Sequence, residues 1–351
     1  MPAAGRTSIA EACGEWRPQG VYLNTASYGL PPDRGWNDLQ QALADWRAGA
    51  TSWEHWGRST ERARAAFAAM VGAETSAVAV GATVSGLVGV VASSLPDGAR
   101  VLAPDIEFTS TLFPFMVHGA RGVTVQTVPA ARLAEAIDDR TDVVAFSAVQ
   151  MATGEVADLT SITRAARAHG ALTVIDATQA CGWLAVDAGS FDVVVCAAYK
   201  WLMSPRGTAF MVVDARRLSA IVPTSAGWYA GEDPHATYFG PPLRLASDAR
   251  RLDTSPAWFS WVGTAPALEL INEIGVEAIG RHDVGLANRF RAGLGLPPSD
   301  SAIAAVKLPG ADDRLRSAGI VAAIRGGRLR TSWHVYNTPG DVDRVLDVVA
   351  G

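Results

Sequence analysis

One lysine and one aspartate are the residues of this sequence whose side chains are best suited to take part in a reaction. Asp176 lies in IDATQACGW, and Lys200 lies in CAAYKWLMSPRG. Their separation in sequence fits one strand, one connection and the next strand, so both side chains can reach one cleft. A lysine amine forms an imine with a carbonyl compound, and a carboxylate keeps a ring nitrogen protonated as an electron sink. Lysines are usually exposed. Lys200, however, stands between Tyr199 and Trp201 directly after an apolar strand, a setting that favours burial and a lowered pKa.

The elements that must position these residues follow an α/β pattern. Short β-branched runs alternate with helical patterns, which predicts a mostly parallel sheet with helices on its faces. An amphipathic helix is predicted over Leu159–His169, with Gly170 ending it before the strand that leads to Asp176. Asp176 is therefore expected at the carboxyl end of a buried strand, where open α/β sheets bind ligands. The predicted strands are 77–80, 101–103, 123–128, 143–147, 172–175, 193–197 and 208–213.

The second half of the chain predicts a smaller domain. Residues 219–253 are rich in Gly, Pro, Trp and Tyr and predict a long loop, which is more often functional than accidental. A helix is predicted from about Trp258 to Ile279 as the bridge to this domain. We therefore divide the chain into an N-terminal arm with a large domain, 1–260, and a small C-terminal domain, 261–351.

Composition excludes several classes of function. The net charge of -5 gives no reason to expect a nucleic-acid partner. No apolar stretch makes a clean span of about 20 residues for a membrane, and the first residues lack a signal-peptide pattern, so we expect a cytoplasmic protein. Cys13, Cys181 and Cys196 are an odd number without CxxC spacing, which argues against a disulfide framework and a zinc site; we expect no metal.

These segments resemble the class V aminotransferase family of fold-type I pyridoxal phosphate enzymes, which includes cysteine desulfurases, kynureninase and isopenicillin-N epimerase. The resemblance runs from YLNTASYGLPP at residue 22 to LRTSWHVYNTPGDVDRVL at residue 329, with separate motifs in the family's order. It implies a mostly parallel seven-stranded sheet with helices on both faces, a small C-terminal α/β domain, and pyridoxal 5′-phosphate on Lys200.

The resemblance assigns the cofactor's phosphate to three residues of the large domain. AVGATVSGL matches the phosphate-binding turn, with Ala82 and Thr83 at the start of a helix. A helix N-terminus offers free N–H groups to a dianion, although a plain strand-to-helix turn is the alternative. Tyr199 is placed to hold the phosphate through its hydroxyl. Ala197 departs from the serine of the desulfurase pattern, so one phosphate hydrogen bond is missing or replaced.

Other matched positions surround the cofactor ring. Phe108 in PDIEFTSTLF stands where the family stacks an aromatic or histidine ring, and Asp176 faces the ring nitrogen. Gln150 and Gln179 are placed to reach the phenolic oxygen, the alternative for Gln150 being a solvated turn residue.

Ser255 in DTSPAW resembles the residue that reaches the phosphate of a neighbouring subunit, which implies a homodimer with shared active sites. The sequence has Thr-Ser-Pro where the family usually has Gly-Thr-Pro, so Thr254 is a competitor for this role.

Arg330 matches the arginine that grips the substrate carboxylate, a task that suits its two-pronged donor geometry. Asn24 and Tyr28, in YLNTASYG, are placed by the resemblance at the same end of a small amino-acid substrate.

The implied activity is amino transfer or β-elimination at the Cα atom of a small amino acid. The persulfide cysteine of the desulfurases is absent, because no cysteine follows Cys196. Epimerisation of the isopenicillin-N type is the alternative, and a non-catalytic cofactor-binding or sensor protein is the alternative of a different class.

Overall fold

Seven strands form the main sheet of the protein, whose computed structural model describes residues 7–350. The strands of the chain are β1 (Val21–Tyr22), β2 (Val78–Gly81), β3 (Arg100–Pro104), β4 (Thr124–Val128), β5 (Val143–Ser147), β6 (Leu172–Asp176), β7 (Val193–Ala197), β8 (Ala209–Val213), β9 (Ile303–Val306), β10 (Ile320–Val321), β11 (Ala323–Arg325) and β12 (Arg328–Ser332). The main sheet has the order β2-β8-β7-β6-β5-β3-β4, and β8 runs antiparallel to both of its neighbours. The predicted fold class is confirmed, with each predicted strand matching an observed one to within one or two residues.

Helices cover both faces of this sheet. They are α1 (Ile9–Ala12), α2 (Asp33–Ala48), α3 (Trp53–Met70), α4 (Val84–Ser93), α5 (Thr109–Met116), α6 (Leu133–Ala136), α7 (Leu159–His169), α8 (Ala215–Leu218), α9 (Trp258–Ile274), α10 (Val276–Gly293), α11 (Ala311–Ser317) and α12 (Pro339–Ala350). In β7, Val194 and Cys196 pack in the core with α3, α7 and α9, whereas Val193 and Val195 pack in the core with α4 and α5. Burial on both faces explains why the strand reads as a continuous apolar run.

The helix before Asp176 has the predicted bounds and ends. The Asp158 side chain accepts a hydrogen bond from the Ser161 N–H at its start, and Gly170 ends it with a left-handed φ of 69°. No helix of the described residues is long and apolar enough to cross a membrane.

The predicted single helix from Trp258 to Ile279 is wrong, because the chain forms two helices there. Gly275 separates α9 from α10 with φ 91° and ψ 131°, a conformation that glycine adopts without steric cost. The main core continues through α9 to Ile279, and a separate apolar cluster begins with Leu286. The predicted domain boundary between residues 260 and 261 stays a prediction. Within α10, the side chains change from packing in the main core to packing in the separate cluster.

The smaller unit brings together residues from the N-terminal and the C-terminal parts of the chain. Its antiparallel sheet has the order β11-β12-β9 and packs with α10, α11 and α12. Near the N-terminus, β1 pairs with β10, and Val21 and Leu23 are buried in the same apolar cluster. This packing places the following residues, 24–29, between β12, where Asn24 pairs with Ser332, and the turn after β7, where the Gly29 N–H donates to the Tyr199 carbonyl.

The long loop 219–253 lacks strands and holds only short 3-10 turns at Trp228–Ala230 and Ala249–Leu252. Its end is fixed by the buried Asp253, which forms an ion pair with Arg64 at 2.7 Å and accepts a hydrogen bond from the Val80 N–H at 2.8 Å. The loop therefore leaves residues 254 and 255 next to the strand that precedes Ala82.

Candidate active site

Lys200 lies in a tight turn directly after β7. The turn is closed by the Met203 N–H donating to the Lys200 carbonyl and by the Ser204 N–H donating to the Ala198 carbonyl. Met203 adopts a left-handed φ of 52°, which is uncommon for a residue with a side chain and occurs at functional sites. The lysine is 7% exposed, and burial lowers its pKa to about 8. Its amine is therefore neutral over a much larger part of the physiological range than that of a free lysine.

Aromatic rings enclose the lysine amine. The ring centroids of Phe108 and Tyr199 lie 5.6 Å and 5.7 Å from Nζ. Tyr28 lies 5.5 Å from the Tyr199 ring, and the Arg206 guanidinium lies 4.9 Å from the centroid of the same ring. Burial raises the pKa of the Tyr199 phenol, so its hydroxyl remains a hydrogen-bond donor at neutral pH.

Asp176 lies at the carboxyl end of β6, on the same sheet edge as Lys200. It is 5% exposed, and its carboxylate accepts hydrogen bonds from the Thr178 N–H at 2.8 Å and the Thr111 hydroxyl at 3.3 Å. The Thr178 hydroxyl accepts a hydrogen bond from the Ala197 N–H at 2.9 Å, which ties the ends of β6 and β7 together. The aspartate is thus held in one orientation beside the lysine turn.

Glu107 is a buried site residue that our sequence reasoning missed. Its carboxylate accepts hydrogen bonds from the Phe108 and Ser147 N–H groups at 2.7 Å, from the Ser147 hydroxyl, and from the Gln150 amide at 3.3 Å. Burial raises the pKa of this carboxyl despite these bonds. Glu107 therefore fixes two of the predicted cofactor-binding residues at once. The signal available in the sequence was an acidic residue between an apolar strand and Phe108.

The two predicted glutamines lie in different settings. Gln150 is buried against Glu107, whereas the Gln179 side chain accepts from the Trp201 indole at 2.8 Å and donates to the Ala26 carbonyl at 2.9 Å. Gln179 therefore fastens the lysine turn to the N-terminal segment. Its predicted contact with a phenolic oxygen stays a prediction. The second hydrogen of the Gln179 amide is left to make that contact.

The predicted phosphate turn is an exposed helix N-terminus. Ala82 and Thr83 are exposed, and the Thr83 hydroxyl caps α4 by accepting from the Gly86 N–H at 3.1 Å. The first-turn N–H groups have no intrahelical partner, which suits an anion. Ser255 is exposed and Thr254 is half-buried, and within residues 7–350 neither side chain makes a hydrogen bond.

Arg330 is buried in β12 without a carboxylate partner within 4.0 Å among the described residues. Its Nη atoms donate to the Met151 carbonyl at 2.8 Å and the Ser27 hydroxyl at 2.6 Å, while its buried Nε has no hydrogen-bond partner. Asn24 lies at the limit of hydrogen bonding, 3.5 Å from Nη2. Burial lowers the pKa of Arg330 to about 10. An anionic ligand would supply what this guanidinium lacks.

A buried histidine and aspartate from the C-terminal part of the chain support the lysine turn, and we did not identify them from the sequence. His334 Nε2 donates to the Trp201 carbonyl at 3.0 Å, and its Nδ1 lies 2.8 Å from Asp283 on α10. Both side chains are fully buried. The residue after Lys200 is therefore linked to α10 and to the segment that follows β12.

The N-terminal segment closes over the lysine turn at Gly29. The Gly29 N–H donates to the Tyr199 carbonyl at 2.9 Å, and a Cβ atom on Gly29 would lie 2.0 Å from the Lys200 carbonyl oxygen. No side chain fits at this distance, so glycine is required for the close approach.

Comparison with known proteins gives one family. Its model, described as aminotransferase class-V, matches residues 22–309. An uncharacterized aminotransferase, YcbU of Bacillus subtilis, is 28% identical, with the match covering 86% of this chain and 85% of that protein. Isopenicillin N epimerase of Streptomyces clavuligerus is 27% identical over 82% and 83% of the two chains. The solved complex of the cystine C-S lyase C-DES with cysteine persulfide has the same fold, with a TM-score of 0.85 at 20% identity over 95% and 97% of the chains.

We predict that Gly29→Ala disturbs the lysine turn. The methyl group must displace the Lys200 carbonyl, and such overpacking costs about 1–3 kcal/mol in the free energy of unfolding. Urea unfolding measures this loss, and uptake of pyridoxal phosphate should fall with it. Gly14→Ala is the control, because a Cβ atom there meets nothing within 4 Å. Equal stability of the two variants would contradict the steric argument.

A second prediction concerns the ionisation of Lys200. A protonated amine cannot attack an aldehyde, so capture of pyridoxal phosphate by the cofactor-free protein should accelerate as the pH rises through about 8. A free lysine would give a midpoint near about 10.4. Stopped-flow absorbance measures the rate. Lys307, the other lysine of the sequence, is exposed, and Lys307→Arg should leave the profile unchanged. A midpoint near that of free lysine in this variant would refute the effect of burial.

Proposed function

The chain belongs to the class-V aminotransferase family, and we propose that it removes the Cα proton of a small α-amino acid, with amino transfer or β-elimination as the outcome. Pyridoxal phosphate is the cofactor of this family, and the chain is accordingly a pyridoxal-phosphate-dependent enzyme. The observation that carries the proposal is that Lys200, Asp176 and Arg330 are all buried and that the aspartate and the arginine both lie close enough to the lysine to shift its pKa.

The side chains at this cleft suit the cofactor. Lys200 offers an amine with a lowered pKa to its aldehyde, and Asp176 offers an oriented carboxylate to its ring nitrogen. Phe108 presents a ring beside the lysine, and the start of α4 offers N–H groups to the phosphate. When bound, pyridoxal phosphate accepts the electron pair released from the broken Cα bond.

The protein's own residues then have distinct tasks. Arg330 would hold the α-carboxylate of the substrate through the N–H groups of its guanidinium, so the amino acid enters in one orientation. Lys200 moves the Cα proton at its Nζ, and a pKa of about 8 leaves it able both to accept and to return a proton near neutral pH. Asp176 would keep the ring nitrogen of the bound cofactor protonated through its oriented carboxylate.

The fate of the substrate depends on where the proton returns and whether the β-carbon carries a leaving group. Epimerisation is the alternative, supported by the relative named isopenicillin N epimerase. A non-catalytic sensor has less support, because Lys200 and Asp176 are both present and both buried. A persulfide relay of the desulfurase type is not proposed, since Cys181 and Cys196 are buried in the core and no cysteine follows them.

Product stoichiometry tests the proposal. Amino transfer consumes a 2-oxo acid and releases no ammonia, whereas β-elimination releases ammonia and a 2-oxo acid without an acceptor. We expect one of these patterns with a panel of small amino acids, and its loss in Lys200→Ala. Racemisation of the substrate without either product would support epimerisation instead. A protein that binds the cofactor but leaves every amino acid of the panel unchanged would contradict the proposed activity.

We also propose that the protein works as a homodimer with shared active sites. Support comes from the exposed Ser255 and from exposed apolar side chains on the long loop, Phe239 at 88% and Leu243 at 80% exposure. A surface of this kind favours a partner over water. Light scattering should give twice the chain mass of 36.8 kDa. An active protein with the mass of one chain would contradict shared sites.

A further inference from the structure

A second arginine lies beside Arg330 in the candidate active site. β11 and β12 form a hairpin through Gly326 and Gly327, whose φ angles of 53° and 71° are typical of a two-residue turn that aligns its strands. Arg325 faces Arg328 across this hairpin, so it lies diagonally from Arg330 on the same face of the sheet. The geometry of the turn therefore places two guanidinium groups side by side.

Both arginines donate to the same hydroxyl. The Ser27 Oγ accepts from Arg330 Nη2 at 2.6 Å and from Arg325 Nη2 at 3.2 Å. Within residues 7–350, neither guanidinium has a carboxylate within 4.0 Å. Arg330 is 1% exposed, and its Nε has no partner. Two like charges that share one neutral acceptor repel each other, and an anion between them removes that cost.

The acidic groups of the cleft do not neutralise this pair. The Asp176 carboxylate is bound by Thr111 and Thr178, and in the proposed function it faces the ring nitrogen. Glu107 is occupied by donors from three neighbouring residues. Within the described residues, no carboxylate therefore pairs directly with Arg325 or Arg330.

We propose that the substrate is an α-amino acid whose side chain ends in a second anionic group, of the four- or five-carbon dicarboxylic type, and that Arg325 recognises this group. This inference rests on the proposed function. One α-carboxylate carries a single negative charge, whereas Arg325 and Arg330 carry two positive charges and share the Ser27 hydroxyl, which leaves the half-buried Arg325 without a carboxylate partner. A second carboxylate on the same molecule balances it, whereas a neutral or apolar side chain leaves the charge uncompensated.

The test compares Arg325→Gln with Arg328→Gln, its cross-strand neighbour. Both changes remove one positive charge from the same hairpin, but the Arg328 side chain is exposed and makes no hydrogen bond within the described residues. The holoenzyme's kcat/KM is measured with aspartate, glutamate and alanine. Since hydrogen bonds to charged groups contribute substantially, Arg325→Gln should lower the preference for the acidic substrates over alanine by about 10-fold or more. Arg328→Gln should keep that preference.

A binding measurement separates this inference from the proposed function. Succinate and propionate lack the amino group, so calorimetric titration of the holoenzyme reports anion recognition without any turnover. Wild-type protein should bind succinate more tightly than propionate by about 10-fold, and Arg325→Gln should abolish the difference. Arg330→Lys should weaken both ligands, because lysine keeps the charge and loses the two-pronged geometry.

The outcomes are distinct. If no amino acid is turned over but succinate is preferred through Arg325, the proposed function fails and the anion site stands. If Arg325→Gln reduces kcat/KM equally for aspartate and alanine, both arginines serve the α-carboxylate and the inference is overturned. Equal affinity of the wild-type protein for succinate and propionate would overturn it as well.

Discussion

The parallel pairing of β5, β6 and β7 is the constraint on which the candidate site depends. Because their carboxyl ends meet at one sheet edge, Ser147, Asp176 and the turn that carries Lys200 are brought together. A shift of one residue in this register would turn every side chain of a strand to the opposite face. Burial of both sheet faces fixes the register and thereby the position of the aspartate relative to the lysine.

The lysine turn is then held from outside the sheet. Gly29 of the N-terminal segment contacts its backbone, Gln179 bonds the Trp201 indole, and His334 bonds the Trp201 carbonyl. The chain around β12 therefore supports the lysine turn through His334 as well as supplying Arg330. A site held by buried hydrogen bonds and close packing keeps its geometry better than one carried by a free loop.

The buried positive charges determine which ligands can bind in the candidate site. Burial lowers the pKa of both Lys200 and Arg330, because a desolvated cation is costly. Lys200 relieves this cost by losing its proton near pH 8, which makes it a nucleophile and a base. Arg330 keeps its charge at neutral pH and needs an anion. The same physical effect thus gives Lys200 an amine that loses its proton easily and leaves Arg330 as a buried cation with no carboxylate within 4.0 Å among the described residues.

The sequence by itself determined the sheet, the helix before Asp176, and the aspartate and lysine motifs, because strand periodicity, helix caps and short motifs are local patterns. It did not reveal the break at Gly275, since a lone glycine also occurs within helices. Only the tertiary structure decided that Glu107 holds Phe108 and Gln150, that His334 reaches the residue after Lys200, and that Arg325 shares Ser27 with Arg330. These partners are distant in sequence, and no local pattern encodes which buried polar groups will meet when the two units pack.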